Sequence, residues 1–517
     1  MQRLKSIRVV VSLLFFSLLS FLFLDVGGLI PPSLTIVLVA LQFVPSLTKT
    51  LALLSVTSLG LLFVVVLTLA FGRVYCSSLC PLGTLQDIVI RLARKNRRRR
   101  WFRYKKQPVL LHYSLLAVAA IAFVGGSALL LNLLEPFSNY GKILSSLVNP
   151  IVVLGNNAAV SVFGHFGLYS LPSIALRNVH VSTILFSLIF LGVILYMSYN
   201  HGRLFCNSLC PAGALLAILS RVSLFRIVID EKTCTECSLC EKVCKANCIQ
   251  ADTKRLDFSA CVSCFNCIDV CPSVGLKYEG FWRKKAIGVR VDNGRRTFIN
   301  AALTSSFAAL MPGRGPKDTA KVPMPSFDES RKHAVAPPGA ISVEHFSTYC
   351  TACHLCVSVC PTQVLYPAFL EYGVAGIFQP KMNYDASYCN YDCVLCTQIC
   401  PSGAILPVDV DAKKLIQIGK ASFVKEDCVV VTKKKDCAAC SEHCPTKAVK
   451  MLPYEKKLML PELDNDICVG CGACEHACPT TPRKAIYVVA NSVHQKAKKP
   501  AVQKLEEAIE KSKEFPF

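Results

Sequence analysis

Cysteines carry the chemistry that stands out in this sequence. There are 29 in 517 residues, and 24 of them fall into six quartets. The first is Cys234, Cys237, Cys240 and Cys244; the second is Cys261, Cys264, Cys267 and Cys271. The third is Cys350, Cys353, Cys356 and Cys360, and the fourth is Cys389, Cys393, Cys396 and Cys400. The fifth is Cys428, Cys437, Cys440 and Cys444, and the sixth is Cys468, Cys471, Cys474 and Cys478. All but the first are followed by proline. In the pattern C-x2-C-x2-C-x3-C-P, three thiolates on a tight loop wrap one iron–sulfur cube. The fourth points away and ligates the neighbouring cube. Structural zinc takes two cysteine pairs across a longer loop instead. The sequence therefore implies six 4Fe-4S clusters.

The first two quartets lie 16 residues apart, close enough for one compact two-cluster ferredoxin domain. By cross-ligation, Cys271 completes the first cluster and Cys244 the second. The first quartet has Lys245 where the others have proline, and Cys248 is a spare thiol. The fourth and fifth quartets open irregularly, with three and eight residues after their first cysteine.

Four more cysteines form an internal repeat, FGRVYCSSLCPLG at 71–83 and HGRLFCNSLCPAG at 201–213. Cys76 and Cys80, like Cys206 and Cys210, are spaced i,i+4, so each pair can face one way on a helical turn. Brought together, the two pairs form a candidate four-thiolate metal site, a seventh iron or iron–sulfur centre at the inner membrane surface. The alternative is a set of structural, redox-inert thiols. Glu135 and His180 flank the outer ends of two apolar runs and are candidate proton acceptors for a quinol. The plainer alternative is that each is an interfacial residue.

These residues must be held by a membrane domain and by soluble modules. The chain is 52% hydrophobic with mean hydropathy +0.43, and the apolar residues concentrate in the first 200 positions. The net charge of +23 is largely a membrane-flank feature, because residues 1–200 hold 17 Lys/Arg against 3 Asp/Glu. Arg91 to Lys106 alone holds ten basic residues and no acid. Beside apolar spans, that block marks a cytoplasmic flank, and no nucleic-acid partner is expected. Val9 to Leu24, Leu51 to Phe71, Val109 to Leu131 and Val181 to Tyr199 read as four spans with both ends inside. Residues 33–46 are too short to span and read as interfacial or re-entrant. The stretch 132–180 has only Lys142 and Arg177 as basic residues and belongs outside.

The expected fold class is a multidomain protein: an α-helical membrane domain of four spans plus a fifth anchor, with α+β ferredoxin-like iron–sulfur domains. The domains are 1–225 (membrane), 226–285 (two-cluster ferredoxin, cytoplasmic), 286–312 (signal or anchor), 313–340 (linker), 341–490 (four clusters, periplasmic) and 491–517 (helical tail). The segment 295–312 has Arg295 and Arg296 ahead of Phe298, Ile299 and a weakly apolar run. It resembles a twin-arginine export signal, which suits a domain that receives its clusters before export and implies the twin-arginine translocase as a partner. The run falls short of the roughly 20 residues of an ordinary span. No convincing cleavage site follows, so it is expected to stay as the fifth anchor. A cytoplasmic amphipathic helix is the alternative.

The sequence holds no Gly-rich dinucleotide loop, P-loop or nucleophile triad, so the expected task is electron movement. Four quartets after an arginine pair resemble the periplasmic iron–sulfur subunit of the quinol dehydrogenases that serve periplasmic nitrate reductase, the NapG/MauM type. That resemblance covers about residues 290–490 and implies nested pairing, third quartet with sixth and fourth with fifth. The preceding 280 residues resemble the family's membrane partner, the NapH/MauN type, with four spans, two C-x3-C-P motifs and one two-cluster module. A fusion of the two implies a protein of the bacterial inner (cytoplasmic) membrane. It would take electrons from quinol as substrate, in the membrane quinone pool, and pass them to a periplasmic multihaem cytochrome or terminal reductase. Two alternatives stand: supply from a cytoplasmic donor, and a redox maturation factor for a periplasmic metalloenzyme.

Overall fold

The computed structural model describes residues 2–25, 30–53, 59–95, 102–105, 107–167, 172–176, 180–280, 334–455 and 457–499. The signal-like stretch 295–312 and the expected tail helix from residue 500 on lie outside these.

Helix α1, Gln2–Leu24, carries Arg3, Lys5 and Arg8 in its first turns, is apolar from Val9 on apart from three serines, and is long enough to cross a bilayer. Helices α2, Pro32–Ala40, and α3, Phe43–Leu53, meet at 99°, the geometry of a re-entrant hairpin or broken span. This agrees with the short apolar run read at 33–46. Helix α4, Leu59–Phe71, leads into the first half of the repeat: α5, Val74–Ser78, a turn, and the amphipathic α6, Pro81–Lys95. Helix α7, Val109–Val124, and the short α8, Leu129–Leu134, follow. The expected third span, Val109 to Leu131, is broken at 125–128 between α7 and α8, while residues 54–58 of the expected second span lie outside the described residues.

The stretch 132–180, expected outside, is largely helical. Helix α9, Pro136–Ile143, continues through a π-turn at Leu144–Val148 into α10, Asn149–His165, and the whole 30-residue helix is long and apolar enough to span. The polar residues of its first half face protein, since Ser138, Asn139, Lys142, Ser145 and Ser146 are all buried. Helix α11, Val181–His201, is the third span-length helix. It leads into α12, Leu204–Ser208, and α13, Pro211–Ser220, the second half of the repeat.

The first ferredoxin domain is closed by β1, Phe225–Ile229, pairing antiparallel with β4, Leu276–Gly280. Between them lie α14, Leu239–Val243, the small hairpin β2, Ile249–Gln250, and β3, Arg255–Leu256, and then α15, Asn266–Val270. The second arm repeats the plan with β5, Leu365–Pro367, on β6, Pro380–Met382, and β8, Val449–Pro453, on β9, Met459–Leu463. The strands β7, Ile416–Phe423, and β10, Ile486–Lys496, pair across the arm. Two expected boundaries move. Val335, Ala336 and Ala340 are buried in the second arm's core, so the arm takes in the end of the expected linker. The strand β10 runs to Lys496, past the expected boundary at 490.

The two ferredoxin regions sit at opposite ends of the same helices. At the start of α1, Lys5 bridges Asp269 at 2.6 Å; at its end, Phe23 packs with Cys353 in one core. Just before α7, Lys105 N donates to Asn247 O at 3.3 Å. Just after it, Thr348 Oγ1 donates to Gly126 O at 3.3 Å. At the start of α11, His180 stacks on Phe369 at 5.8 Å; past its end, Arg203 N donates to Lys245 O at 2.8 Å.

Candidate functional site

In four quartets the residues flanking the second cysteine both take positive φ. They are Glu236 and Ser238, Ser263 and Phe265, Ala352 and His354, and Gly470 and Gly472. This left-handed pair bends the loop so that three thiols converge, and it turns backbone N–H groups inward as an anion-binding nest. Ser263 N and Ala352 N donate to Cys261 Sγ and Cys350 Sγ, each at 3.4 Å. In the irregular fourth and fifth quartets, Val394 and Ala438 occupy the later of these two positions with φ −122° and −128°. Their longer first spacing supplies the reach that the left-handed turn supplies elsewhere.

Cross-ligation in the first ferredoxin domain holds as expected. A cavity of about 340 Å³ is lined by Cys234, Cys237, Cys240 and, from the second quartet, Cys271. Cys244 packs in one core with Cys261, Cys264 and Cys267. In the second arm the nested pairing is overturned. Cys360 of the third quartet closes a cavity of about 330 Å³ with Cys389, Cys393 and Cys396 of the fourth. Cys400 of the fourth lies within electrostatic reach of Cys350, Cys353 and Cys356. Likewise Cys478 reaches Cys428 and Cys440, and Cys444 reaches Cys468, Cys471 and Cys474. Third therefore pairs with fourth and fifth with sixth, because each short segment between quartets folds back on itself. Among the described residues, no three His, Cys, Asp or Glu side chains converge on a point that one ion could occupy. The thiols are spread around cube-sized spaces, as iron–sulfur ligation requires and mononuclear zinc does not.

A test follows. Cys360→Ser should remove roughly four iron atoms per chain and the resonance of the cluster on Cys389, Cys393 and Cys396. The cluster of Cys350, Cys353 and Cys356 should be spared. Anaerobic iron analysis with EPR reads both, and loss from the sixth quartet instead would restore the nested pairing.

Sequence reasoning missed one set of residues. After each of five Cys-Pro pairs comes Ser or Thr, whose hydroxyl lies 3.1–3.7 Å from the cysteine sulfur: Ser273, Thr362, Ser402, Thr446 and Thr480. The signal was the tripeptide C-P-[ST]. Hydrogen bonds to ligand sulfur tune cluster potential. The first quartet lacks that tripeptide, and there the spare Cys248 stands 3.5 Å from Cys244 Sγ. Its hydrogen bond lowers the Cys244 thiol below the ordinary range, favouring the thiolate.

The pockets form two strings. Asn207 Nδ2 donates to Ala260 O at 3.1 Å, which sets the second quartet against the membrane repeat. The partly exposed first quartet lies beyond it, with Cys237 at the surface. On the other side, Cys353 packs against α1 and α9. Cys389 N donates to Cys471 O at 2.9 Å, joining the two halves of the second arm. The order outward is then third, fourth, sixth and fifth quartet.

The repeat brings Cys76, Cys80, Cys206 and Cys210 to one cavity of about 290 Å³. The expectation of one helical turn per pair is corrected: Cys76 lies on α5 and Cys206 on α12, while Cys80 and Cys210 sit in the turns before α6 and α13. The cavity is enclosed by several helices. Ser12 Oγ meets Thr84 Oγ1 at 3.0 Å, and Pro136, at the start of α9, lines the far wall. Glu135 is buried as the N-cap of α9, its carboxylate accepting from Phe137 N at 3.0 Å and from Ser138 N. His180 caps α11 through Ser182 N at 3.2 Å and lies between Phe369 and Tyr366. The two candidates serve different helices.

Comparison with known proteins agrees with this geometry. The family described as "4Fe-4S binding domain" matches residues 55–100 and 183–229, and "4Fe-4S dicluster domain" matches 349–404 and 435–481. The first dicluster match spans the third and fourth quartets together. The chain is 26% identical to the uncharacterized protein MJ0749 of Methanocaldococcus jannaschii over 223 residues, 42% of this chain and 70% of that one. It is 28% identical to the ferredoxin-type protein NapF of Escherichia coli K12 over 159 residues, 31% of this chain and 88% of that one. It is 31% identical to the methylamine utilization ferredoxin-type protein MauM of Paracoccus denitrificans over 153 residues, 28% of this chain and 66% of that one. The chain is an iron–sulfur electron-transfer protein related to these ferredoxin-type proteins, with three helices among the described residues long and apolar enough to cross a membrane.

Proposed function

We propose that this chain is a quinol dehydrogenase relay of the bacterial inner membrane, a fusion of a NapH/MauN-type membrane protein with a NapG/MauM-type iron–sulfur arm. The observation that supports it most is that α1, α7 and α11 each touch the first ferredoxin domain at one end and the second arm at the other. Quinol oxidation releases two electrons and two protons; the iron–sulfur clusters, when bound, take up and pass on the electrons one at a time. Of the two proton-acceptor candidates, His180 is the better placed. The Glu135 carboxylate is committed to its helix cap, whereas the His180 ring lies in an aromatic seam that suits a flat quinone ring. Electrons then leave from the second arm to a periplasmic multihaem cytochrome or terminal reductase. Export of that arm by the twin-arginine translocase fits Arg295 and Arg296.

Purified protein mixed anaerobically with menaquinol or ubiquinol analogues should bleach the iron–sulfur absorbance, and His180→Ala should slow that bleaching at least tenfold. Protein inert to both quinols would overturn the reading. A C-terminal reporter active only in the cytoplasm would overturn the topology. The second reading, a soluble donor docking at the first quartet, is favoured by the exposure of Cys237. It predicts reduction by a ferredoxin-sized donor without quinol.

A further inference from the structure

We propose that Cys76, Cys80, Cys206 and Cys210 jointly hold a single iron–sulfur cube between the two cluster strings. The first argument is size. Their cavity of about 290 Å³ stands beside cavities of about 340 and 330 Å³, each lined by four ferredoxin cysteines. The matched segments 55–100 and 183–229 contain only two cysteines each, so neither half can ligate a cube alone. The repeat closes one site from two halves.

The second argument is charge. Arg73 and Arg203 are fully buried, and each is swapped into the other half of the repeat. Arg73 Nη2 donates to Cys206 O at 3.0 Å, and Arg203 Nη1 donates to Cys76 O. Arg8 and Lys245 are buried close by, and Asp87 is the one carboxylate these cations share among the described residues. Arg73 has no carboxylate partner among them. Uncompensated buried cations are costly. An iron–sulfur cube on four thiolates is an anion, and it would supply the missing charge. Neutral thiols would not. Gln86 adds a third observation: it lines the cavity fully buried, and its Nε2 has no partner, a donor free for an inorganic sulfide.

The third argument is spacing. From Lys5 at the first domain to Phe23 at the second arm, α1 rises about 27 Å at roughly 1.5 Å per residue. Electron tunnelling falls off steeply with distance, so on the relay reading proposed above a carrier placed along α1 would shorten the path between the two regions. The four-thiol cavity divides it, with Pro136 of α9 on its far wall and Gly141 of the same helix against Cys353.

The test uses the full chain, purified anaerobically in detergent and assayed for iron, acid-labile sulfide and EPR. Cys76→Ser and Cys206→Ser, singly, should each remove roughly four irons and four sulfides. The resonances of the six ferredoxin-type clusters should remain, which also shows that the variants fold. Unchanged iron and sulfide, or zinc in place of iron, would overturn the proposal. A variant that keeps all ligands guards against misfolding: Gln86→Glu places a negative charge on the cavity wall and should lower the midpoint potential of one signal and no other. Seven unmoved signals, or six in all, would overturn it. None of these readouts depends on quinol chemistry, so the failure of that reading and of this one are separable.

Discussion

Asp87→Asn is expected to break the seam between the membrane repeat and the first ferredoxin domain. The Asp87 carboxylate takes Arg8 at 2.9 Å, Arg203 at 2.8 Å and Lys245 at 3.0 Å. Those cations come from α1, the second half of the repeat and the first quartet's loop. All four groups are buried. Removing one partner of a buried ionic cluster costs about 3–5 kcal/mol, because the remaining charges are left uncompensated. Against a typical total of about 5–15 kcal/mol, that is a large fraction. Thermal unfolding in detergent should show a much lower midpoint, with early loss of iron from the first domain. Asp87→Glu should recover part of the loss, since the charge is kept and only its reach changes. An unchanged midpoint for Asp87→Asn would mean that these cations are hydrated in solution.

Gly141→Leu is expected to lift the second arm from the helices. A Cβ at 141 would clash with the Cys353 carbonyl oxygen and come within 2.7 Å of the Phe23 ring. Overpacking usually costs about 1–3 kcal/mol when side chains can shift. Here one obstacle is backbone next to a cluster ligand, so undocking is the easier response. The surrounding contacts are close: the Phe23 and Phe137 rings lie tilted with centroids 5.6 Å apart, and Ser20 Oγ meets Tyr140 Oη at 2.6 Å. Cys353 in a Gly141→Leu variant should become accessible to protease or alkylating probes, and the second arm should stay oxidised when electrons enter at the first domain. Gly141→Ala should show the same change in smaller measure. Normal reduction of the second arm in both variants would remove Gly141 from the route.

Legibility in the sequence followed the range of each interaction. The quartets could be read because three ligands of one cluster lie within a few residues of each other. Their partner cysteine could be read for the first domain, where 16 residues separate the quartets, and could not for the second arm. There Cys360 and Cys400 exchange places across a folded segment, and resemblance to a family suggested the wrong exchange. The apolar runs marked α1 and α11, most of whose surface the rest of the chain leaves uncovered. They missed the helix at 136–165, because its first half carries Ser138, Asn139, Lys142, Ser145, Ser146 and Asn149, which are buried against protein and keep the helix's hydropathy at 1.5.

The sequence by itself determined the chemistry: 24 thiols in ligand spacing, a duplicated C-x3-C-P motif and an apolar first half. These are local patterns, and local geometry is enough to fix iron–sulfur ligation. Tertiary structure alone decided the wiring. It set the two strings of clusters at opposite ends of α1, closed four distant cysteines around one cavity, and crossed Arg73 and Arg203 between the repeats. Those features join residues more than a hundred positions apart, through packing and buried charge that no spacing in the chain records.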